Sequence, residues 1–149
     1  MAIKAVKMSV VNEFLKTITN ETNVREFAMN RGVYNALLFG ACEEQICENV
    51  FENFGYQRKT TFWSDMSIAE FYSVDAVKDT CKRVVKEWFT NKEYFTEFVM
   101  VINHKSWEWY ERGNAILSQV YIDLYYFLRD LVFENWSDDE LKYYLEITD

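Results

Sequence analysis

Apolar residues recur along most of the chain at intervals of three and four positions, the spacing that predicts amphipathic α-helices. The first periodic segments cover about 9–19 and about 23–31, and Gly32 follows the second. A longer segment covers about 33–54 and is followed by Gly55. Because glycine commonly lies just beyond a helix C-terminus, both glycines mark predicted helix ends. The chain up to Gly55 is therefore expected to form three helices.

The stretch YQRKTTFWSDMS has the weakest periodicity in the chain, and its threonines and aromatic residues suit an extended segment. We predict a short irregular segment near 56–66 and a turn of helix near 66–72. Ser73 follows in a favourable N-cap position for a helix over about 74–90. An irregular connection of this kind is a candidate recognition loop.

Residues that favour helix ends delimit the remaining segments. Asn91 precedes a helix predicted over about 92–112, and Gly113 follows it. Ser137 and Glu140 have the spacing of a capping box, in which each side chain bonds the backbone N–H of the other residue. The chain beyond Asn91 is thus expected to contain three helices, and the second of them lies between Gly113 and Ser137.

This second helix has the most regular apolar pattern in the chain. One side of it carries Leu117, Val120, Tyr121, Leu124, Leu128, Leu131 and Val132. Ile122, Tyr126 and Phe133 fall on the other side, so we expect the helix to lie near the middle of a bundle. The apolar band of the preceding helix comprises Tyr94, Phe95, Phe98, Val99, Ile102, Trp109 and Tyr110.

The composition favours an all-α fold. The chain has no proline and only four glycines, the two residues that most often interrupt helices. Hydrophobic residues make up 50% of the 149 positions, enough to form a sizeable core in one domain. We therefore predict a single all-α domain over residues 1–149, a bundle of about six to eight helices with the irregular segment near 56–66.

Net charge and cysteine content restrict the classes of partner and the cellular compartment that we expect. The formal net charge of −8 opposes general attraction to phosphate backbones and anionic lipids, so we expect neither nucleic-acid nor membrane binding. No apolar run approaches the ~20 residues of a membrane span. The odd set of cysteines, Cys42, Cys47 and Cys81, contains no C-x-x-C motif and favours a reducing compartment. We accordingly predict a cytoplasmic protein.

Two predicted helices carry side chains of one charge at four-residue spacing. An acidic stripe consists of Glu44, Glu48 and Glu52, and like charges at this spacing cost roughly 0.2–0.5 kcal/mol per pair. The basic counterpart consists of Lys78, Lys82 and Lys86. The simplest interpretation is that the two stripes pair with each other or are separately solvated.

A functional interpretation is that the acidic stripe faces a basic surface on another macromolecule. Evenly spaced carboxylates on a helix can imitate phosphate positions, compete for a nucleic-acid-binding groove and accelerate association by electrostatic steering. Contact between the lysine stripe and nucleic acid or a phosphorylated ligand ranks lowest, because Asp75, Asp79 and Glu87 dilute its charge.

His104 is the single histidine of the chain, and Glu108 follows it by one helical turn. Such a pair could share a proton or hold a metal. A di-iron bundle site would need Glu-x-x-His, but Val101 stands three residues before His104. No Ser-His-Asp or Cys-His pattern is evident either. We expect a solvated face with a helix-stabilising contact between His104 and Glu108.

Trp107 falls away from the apolar band of its helix. An exposed tryptophan is a favoured interface anchor, whereas packing between helices is its commoner environment. The chain also has ten tyrosines, and neighbours such as Tyr143 and Tyr144 cannot both point inward. A homo-oligomer or another partner surface would use the surplus aromatic side chains.

The last third of the chain carries the pattern W-x-W-Y…GN…L-x-x-x-Y-x-x-L from Trp107 to Leu124, followed by an acidic end. Residues 103–149 resemble small acidic helical proteins of unassigned function carried on phages and conjugative elements of gut bacteria. The resemblance rests on this general pattern and transfers no functional residue. It implies a setting in which compact proteins often act by binding, for example as inhibitors of host defence.

The interpretation we favour is a non-enzymatic protein-interaction module of a mobile element. It would bind a protein with a basic surface, such as a host nuclease or other defence enzyme, and act by occlusion. No catalytic residue, metal ligand or cofactor is predicted. The predicted partner-binding residues are Glu44, Glu48, Glu52 and Trp107. The alternatives are a small metal-dependent hydrolase centred on His104 and Glu108, and a structural protein that self-assembles.

Overall fold

The computed structural model describes residues 3–18 and 62–148, apart from the side chains of residues 64 and 71. Within these ranges the chain forms six α-helices and no β-strand. The helices are α1 (Met8–Thr17), α2 (Phe62–Tyr72), α3 (Val74–Trp88), α4 (Lys92–Glu111), α5 (Ala115–Asn135) and α6 (Asp138–Thr148). The predicted all-α fold class is confirmed. The helices predicted over about 23–31 and 33–54 lie outside the described residues.

Helix α2 begins earlier than the sequence pattern predicts. Residues 62–66 belong to this helix, so the prediction of an irregular segment is wrong for them, and residues 56–61 lie outside the described residues. Phe62, Trp63 and Met66 are all buried. Burial of these bulky apolar side chains outweighs the weak local preference for extended structure, which is why periodicity missed the first turn.

Side-chain caps begin α3 and α4 where the sequence predicts them. The Ser73 hydroxyl accepts a hydrogen bond from the Ala76 N–H at 3.0 Å. The Asn91 side-chain oxygen accepts one from the Tyr94 N–H at 3.1 Å. Each cap supplies a partner to a backbone donor that has none within its helix, a contribution of about 1 kcal/mol.

A glycine-based turn ends α4 and leads directly into α5. Gly113 has φ of 78°, a conformation that side chains with a Cβ disfavour. Its N–H donates to the Tyr110 carbonyl, and the Asn114 N–H donates to the Trp109 carbonyl, the bonding pattern of a Schellman motif. The Asn114 side chain then accepts from the Leu117 N–H and caps α5. This three-residue connection makes α4 and α5 a helical hairpin.

The predicted capping box begins α6. The Ser137 N–H and hydroxyl both donate to the Glu140 carboxylate, and the Glu140 N–H donates to the Ser137 hydroxyl at 3.4 Å. Glu140 is buried despite its charge, and the two bonds from Ser137 satisfy its Oε1 oxygen. The pairing was readable from sequence since it involves residues only three positions apart.

The described residues fall into two compact units, residues 62–80 and residues 3–18 with 81–148. The first of these holds α2 and the beginning of α3. The second contains the rest of α3 and the other helices, and its largest helix contact is between α4 and α5. The prediction of one domain over residues 1–149 stays a prediction.

Aromatic side chains form the core at one end of the larger unit. The rings of Phe89 and Phe95 lie 4.9 Å apart edge to face, and Trp136 is 6.1 Å from Phe95. Tyr144 of α6 packs edge to face on Trp136 at 6.0 Å. Such pairs contribute about 0.5–1.5 kcal/mol beyond the area that they bury. This cluster joins the residue after α3 to the start of α4, the end of α5 and α6.

The outer side of α5 is not covered as the sequence suggested. All seven apolar residues predicted on its inner side are buried. Phe127 also lies on the inner side, where it is buried and stacks on Phe14 of α1 with ring centroids 4.0 Å apart. On the other side, Tyr126 and Phe133 remain exposed. The expected middle position of α5 in a bundle is therefore wrong for this part of its surface.

Candidate partner-binding surface

Three of the four predicted partner-binding residues cannot be placed. Glu44, Glu48 and Glu52 lie outside the described residues, so the acidic stripe stays a prediction. The lysine stripe on α3 is described and is not uniformly solvated. Lys78 is only 8% exposed, and its ammonium lies 3.8 Å from the Asp75 carboxylate one turn earlier. Lys82 is half-buried and Lys86 is exposed, so the stripe passes from a buried to a solvated environment.

The fourth predicted residue, Trp107, is exposed over 57% of its surface. It lies on α4, whose opposite side buries Ile102, Lys105 and Trp109 in the larger unit. An exposed tryptophan places a large apolar surface in solvent, which is uncommon for this residue type. Its exposure agrees with a role as an interface anchor, which stays a prediction.

Trp107 belongs to a groove between the two helices of the α4–α5 hairpin. The groove has a volume of about 340 Å³. Its lining residues are Asn103, Ser106, Trp107 and Tyr110 from α4, and Ser118, Ile122, Tyr125 and Tyr126 from α5. We call these eight residues the aromatic groove. On each helix they follow the spacing of three and four that puts side chains on one face.

Small hydroxyl side chains form the base of the aromatic groove. The Ser118 hydroxyl donates to the Ser106 carbonyl across the hairpin at 3.0 Å. The Ser106 hydroxyl donates to the Asn103 carbonyl within α4 at 2.6 Å. Both serines are buried and their hydroxyl groups are bonded to the protein. The base is therefore a fixed part of the hairpin, on which the larger aromatic walls stand.

The aromatic walls are arranged as two edge-to-face pairs. Trp107 and Tyr110 have ring centroids 6.2 Å apart with planes at 83°, and Tyr125 and Tyr126 are 5.3 Å apart at 66°. Tyr110 is 67% exposed and Tyr126 is 55% exposed. Edge-to-face pairing is favourable and fixes the relative orientation of the rings. The groove therefore presents several π surfaces to solvent in a defined arrangement.

Charged groups near the aromatic groove differ in whether they are already paired. Among the described residues, the exposed carboxylates of Glu111 and Asp130 form no ion pair. The guanidinium of Arg112 bonds the Glu108 carboxylate at 2.9 Å, and that of Arg129 lies 5.1 Å from the centroid of the Phe133 ring. The groove is thus flanked by two unpaired carboxylates, and Arg129 keeps its positive charge beside the Phe133 ring.

His104 and Glu108 differ from the solvated pair that the sequence predicts. Burial of the imidazole lowers the pKa of His104 below its ordinary value of 6.5, so the ring is neutral at pH 7. The Glu108 side chain is largely buried, and one of its oxygens binds Arg112. Within the described ranges no group of three or more His, Cys, Asp or Glu side chains is placed to hold a metal ion.

Cys81 is the one cysteine among the described residues, and it is fully buried. Burial raises the pKa of its thiol from 9.0 to about 12. The thiolate is the nucleophilic form, so this cysteine is inert near neutral pH.

Sequence reasoning missed most of the aromatic groove. Tyr110 was predicted within the apolar band of its helix, next to Trp109, but the structure buries Trp109 and exposes Tyr110. Tyr125 did not stand out in the pattern, and Tyr126 was placed on the other side of a helix expected to lie near the middle of the bundle. A usable signal existed in the matching face of the two helices, where Asn103, Trp107 and Tyr110 are spaced like residues 118, 122 and 125.

No family model, no curated protein and no solved structure matches the chain. Within the ranges that the structure describes, no helix combines the length and apolar character that crossing a membrane requires.

Proposed function

We propose that this protein is a non-enzymatic interaction module that binds a partner protein with a basic surface. The observation that carries the proposal is the aromatic groove, in which Trp107, Tyr110 and Tyr126 are each more than half exposed. Tryptophan and tyrosine are the residues most enriched at the centres of protein interfaces. An exposed cluster of these residues therefore supports a role in protein binding.

The charge of the chain supports a basic partner. A net charge of −8 gives the protein a negative field that attracts basic surfaces and repels acidic ones. Complementary fields mainly increase association rates and exclude wrong partners, while buried aromatic contacts supply affinity. The predicted acidic stripe of Glu44, Glu48 and Glu52 would increase the association rate and exclude wrong partners. Trp107 would supply affinity.

We extend the proposal to the setting that the resemblance implies. The protein would act in the cytoplasm as a factor of a phage or conjugative element and occlude the basic surface of a host nuclease or defence enzyme. A nuclease fits because its substrate-binding groove is itself basic, and an acidic helical surface can compete for it.

Affinity capture followed by reconstitution tests the proposal. The wild-type protein is immobilised and exposed to host lysate, retained proteins are identified by mass spectrometry, and the main one is purified for a direct binding measurement. We expect a basic partner whose binding is lost with Glu44→Lys, Glu48→Lys and Glu52→Lys together and is weakened by Trp107→Ala. Circular dichroism verifies that these variants remain folded.

A matched control changes the net charge equally at other exposed carboxylates, through Glu13→Lys, Glu134→Lys and Glu146→Lys. This control should weaken binding only through general electrostatics and should respond strongly to salt. Equal affinity of the acidic-stripe variant and the wild type would contradict the role of the stripe. Zinc or iron bound stoichiometrically, together with hydrolase activity lost in His104→Ala, would instead favour the enzymatic alternative.

A further inference from the structure

We propose that the aromatic groove receives an arginine side chain of the basic partner. This inference rests on the proposed function and deepens it by naming the group that the groove recognises. It follows from the size of the groove, the character of its walls and the charges around it.

The volume of the groove suits one inserted side chain. At about 340 Å³ it lies near the lower end of the range for small-molecule pockets, which is roughly 300–1,000 Å³. Two helices of one hairpin line it, so its base and walls are held by a single packed element. A groove of this size, fixed by the Ser118 bond to the Ser106 carbonyl, is an anchor site within a larger interface.

The walls favour a cation over an aliphatic group. Trp107, Tyr110 and Tyr126 offer exposed π surfaces, and cations are attracted to the faces of such rings, most strongly to tryptophan. Arginine suits the site better than lysine, because its planar guanidinium stacks on rings while keeping donors at its edge. The side-chain oxygen of Asn103, which also lines the groove, can accept one of those donors.

The charges nearby complement a guanidinium. Glu111 follows Trp107 by four residues, and Asp130 follows Tyr126 by four, so each carboxylate lies one helical turn from a wall of the groove. Both are exposed and form no ion pair among the described residues. The guanidinium of Arg112 is neutralised by its ion pair with Glu108, whereas that of Arg129 contacts only the Phe133 ring and keeps its charge. An incoming arginine therefore meets unpaired carboxylates on both helices.

The test compares two fluorescein-labelled decapeptides by fluorescence anisotropy. One alternates arginine with glycine, and the other replaces each arginine with citrulline, which has the same shape and no charge. Binding is measured for the wild type and for Trp107→Leu, Tyr126→Leu and the double variant. Leucine keeps an apolar side chain but removes the π surface. Tyr72→Leu is the matched control, because Tyr72 is an exposed aromatic residue outside the groove.

The arginine peptide should bind the wild type more tightly than the citrulline peptide does. Each single groove variant should weaken arginine binding about 2- to 5-fold, the change expected from loss of one cation–π contact, and the double variant should weaken it further. Tyr72→Leu should leave the affinity unchanged. Glu111→Gln with Asp130→Asn should also weaken binding, and more so than Glu134→Gln with Glu146→Gln, which removes the same charge elsewhere.

Two results would overturn the inference. If citrulline and arginine peptides bound equally and both lost affinity in the groove variants, the groove would be a neutral docking site. If the groove variants bound arginine as the wild type does, the peptide would be held elsewhere by general charge. Neither result affects capture of a basic partner through the acidic stripe, so failure here is distinguishable from failure of the proposed function.

Discussion

Neighbouring residues on α4 and α5 occupy opposite environments, and this contrast creates the candidate site. Trp109 is buried while Trp107 and Tyr110 are exposed, and Phe127 is buried next to the exposed Tyr126. Successive residues on a helix point about 100° apart, so one aromatic residue can serve the core while the next faces solvent. The core therefore contains only some of the aromatic residues, and Trp107, Tyr110 and Tyr126 are among those that line the aromatic groove instead.

At the same scale, His104 gives the protein a specific pH dependence. It is the only histidine, and burial lowers its pKa in the folded state below 6.5. The unfolded chain therefore binds a proton more readily than the folded one as pH falls below 6.5. The His104 contribution to the free energy of unfolding is close to zero well above pH 6.5, becomes destabilising as pH falls below 6.5, and stops growing once the pH is below the folded pKa.

We expect His104→Gln to reduce the loss of stability between about pH 7 and about pH 5, the window in which only histidine among side chains ordinarily titrates. Urea unfolding of the wild type and the variant at both pH values measures the difference. The wild type should lose more stability than His104→Gln on acidification. A loss of the same size in both proteins would show that His104 does not contribute in this way.

At the scale of elements, short-range interactions set the helix ends. Ser73, Asn91, Gly113 and the Ser137–Glu140 pair all lie where the sequence places them, and each acts within one turn of its own helix. The start of α2 is different. Its first turn contains Phe62 and Trp63, which are buried. Its extent follows from packing, which local pattern does not report.

Gly113→Ala tests the turn that holds the hairpin and thus the aromatic groove. A Cβ at φ of 78° is strained, so we expect a loss of about 1–2 kcal/mol in the free energy of unfolding. Chemical denaturation measures the loss. Glu134→Ala, at an exposed position in α5, should change stability by less than about 0.5 kcal/mol. Equal stability of Gly113→Ala and the wild type would mean that the turn tolerates a side chain.

At the scale of the whole molecule, charge and exposed aromatic surface act in opposite directions. The aromatic groove offers an apolar surface on which a second copy could pack, whereas a net charge of −8 makes identical copies repel. A basic partner can bind the same apolar surface without electrostatic repulsion. This balance is the physical reason to place hetero-association above the self-assembling alternative.

Sedimentation velocity measures the outcome of this balance. We expect a monomer at moderate ionic strength, with any self-association increasing as salt screens the repulsion between copies. A stable oligomer at low salt that Trp107→Ala or Tyr126→Ala converts to monomer would contradict this expectation and favour self-assembly through the aromatic groove. Phe133→Ala, which alters an exposed aromatic residue outside the groove, is the control.

Helical class and most described helix ends followed from sequence, because apolar periodicity, caps and the near absence of helix breakers act over a few residues. The burial of the seven inner residues of α5 also followed from the sequence, because an uninterrupted apolar stripe on a helix is favourable only in the core. The sequence pattern did not predict that Tyr110 and Tyr126 are exposed or that Lys78 is buried. Each depends on which side chains from distant segments cover a given face, and periodicity along one helix carries no information about its neighbours. For the same reason the aromatic groove exists only once α4 and α5 are packed together, although every residue that lines it was visible in the sequence.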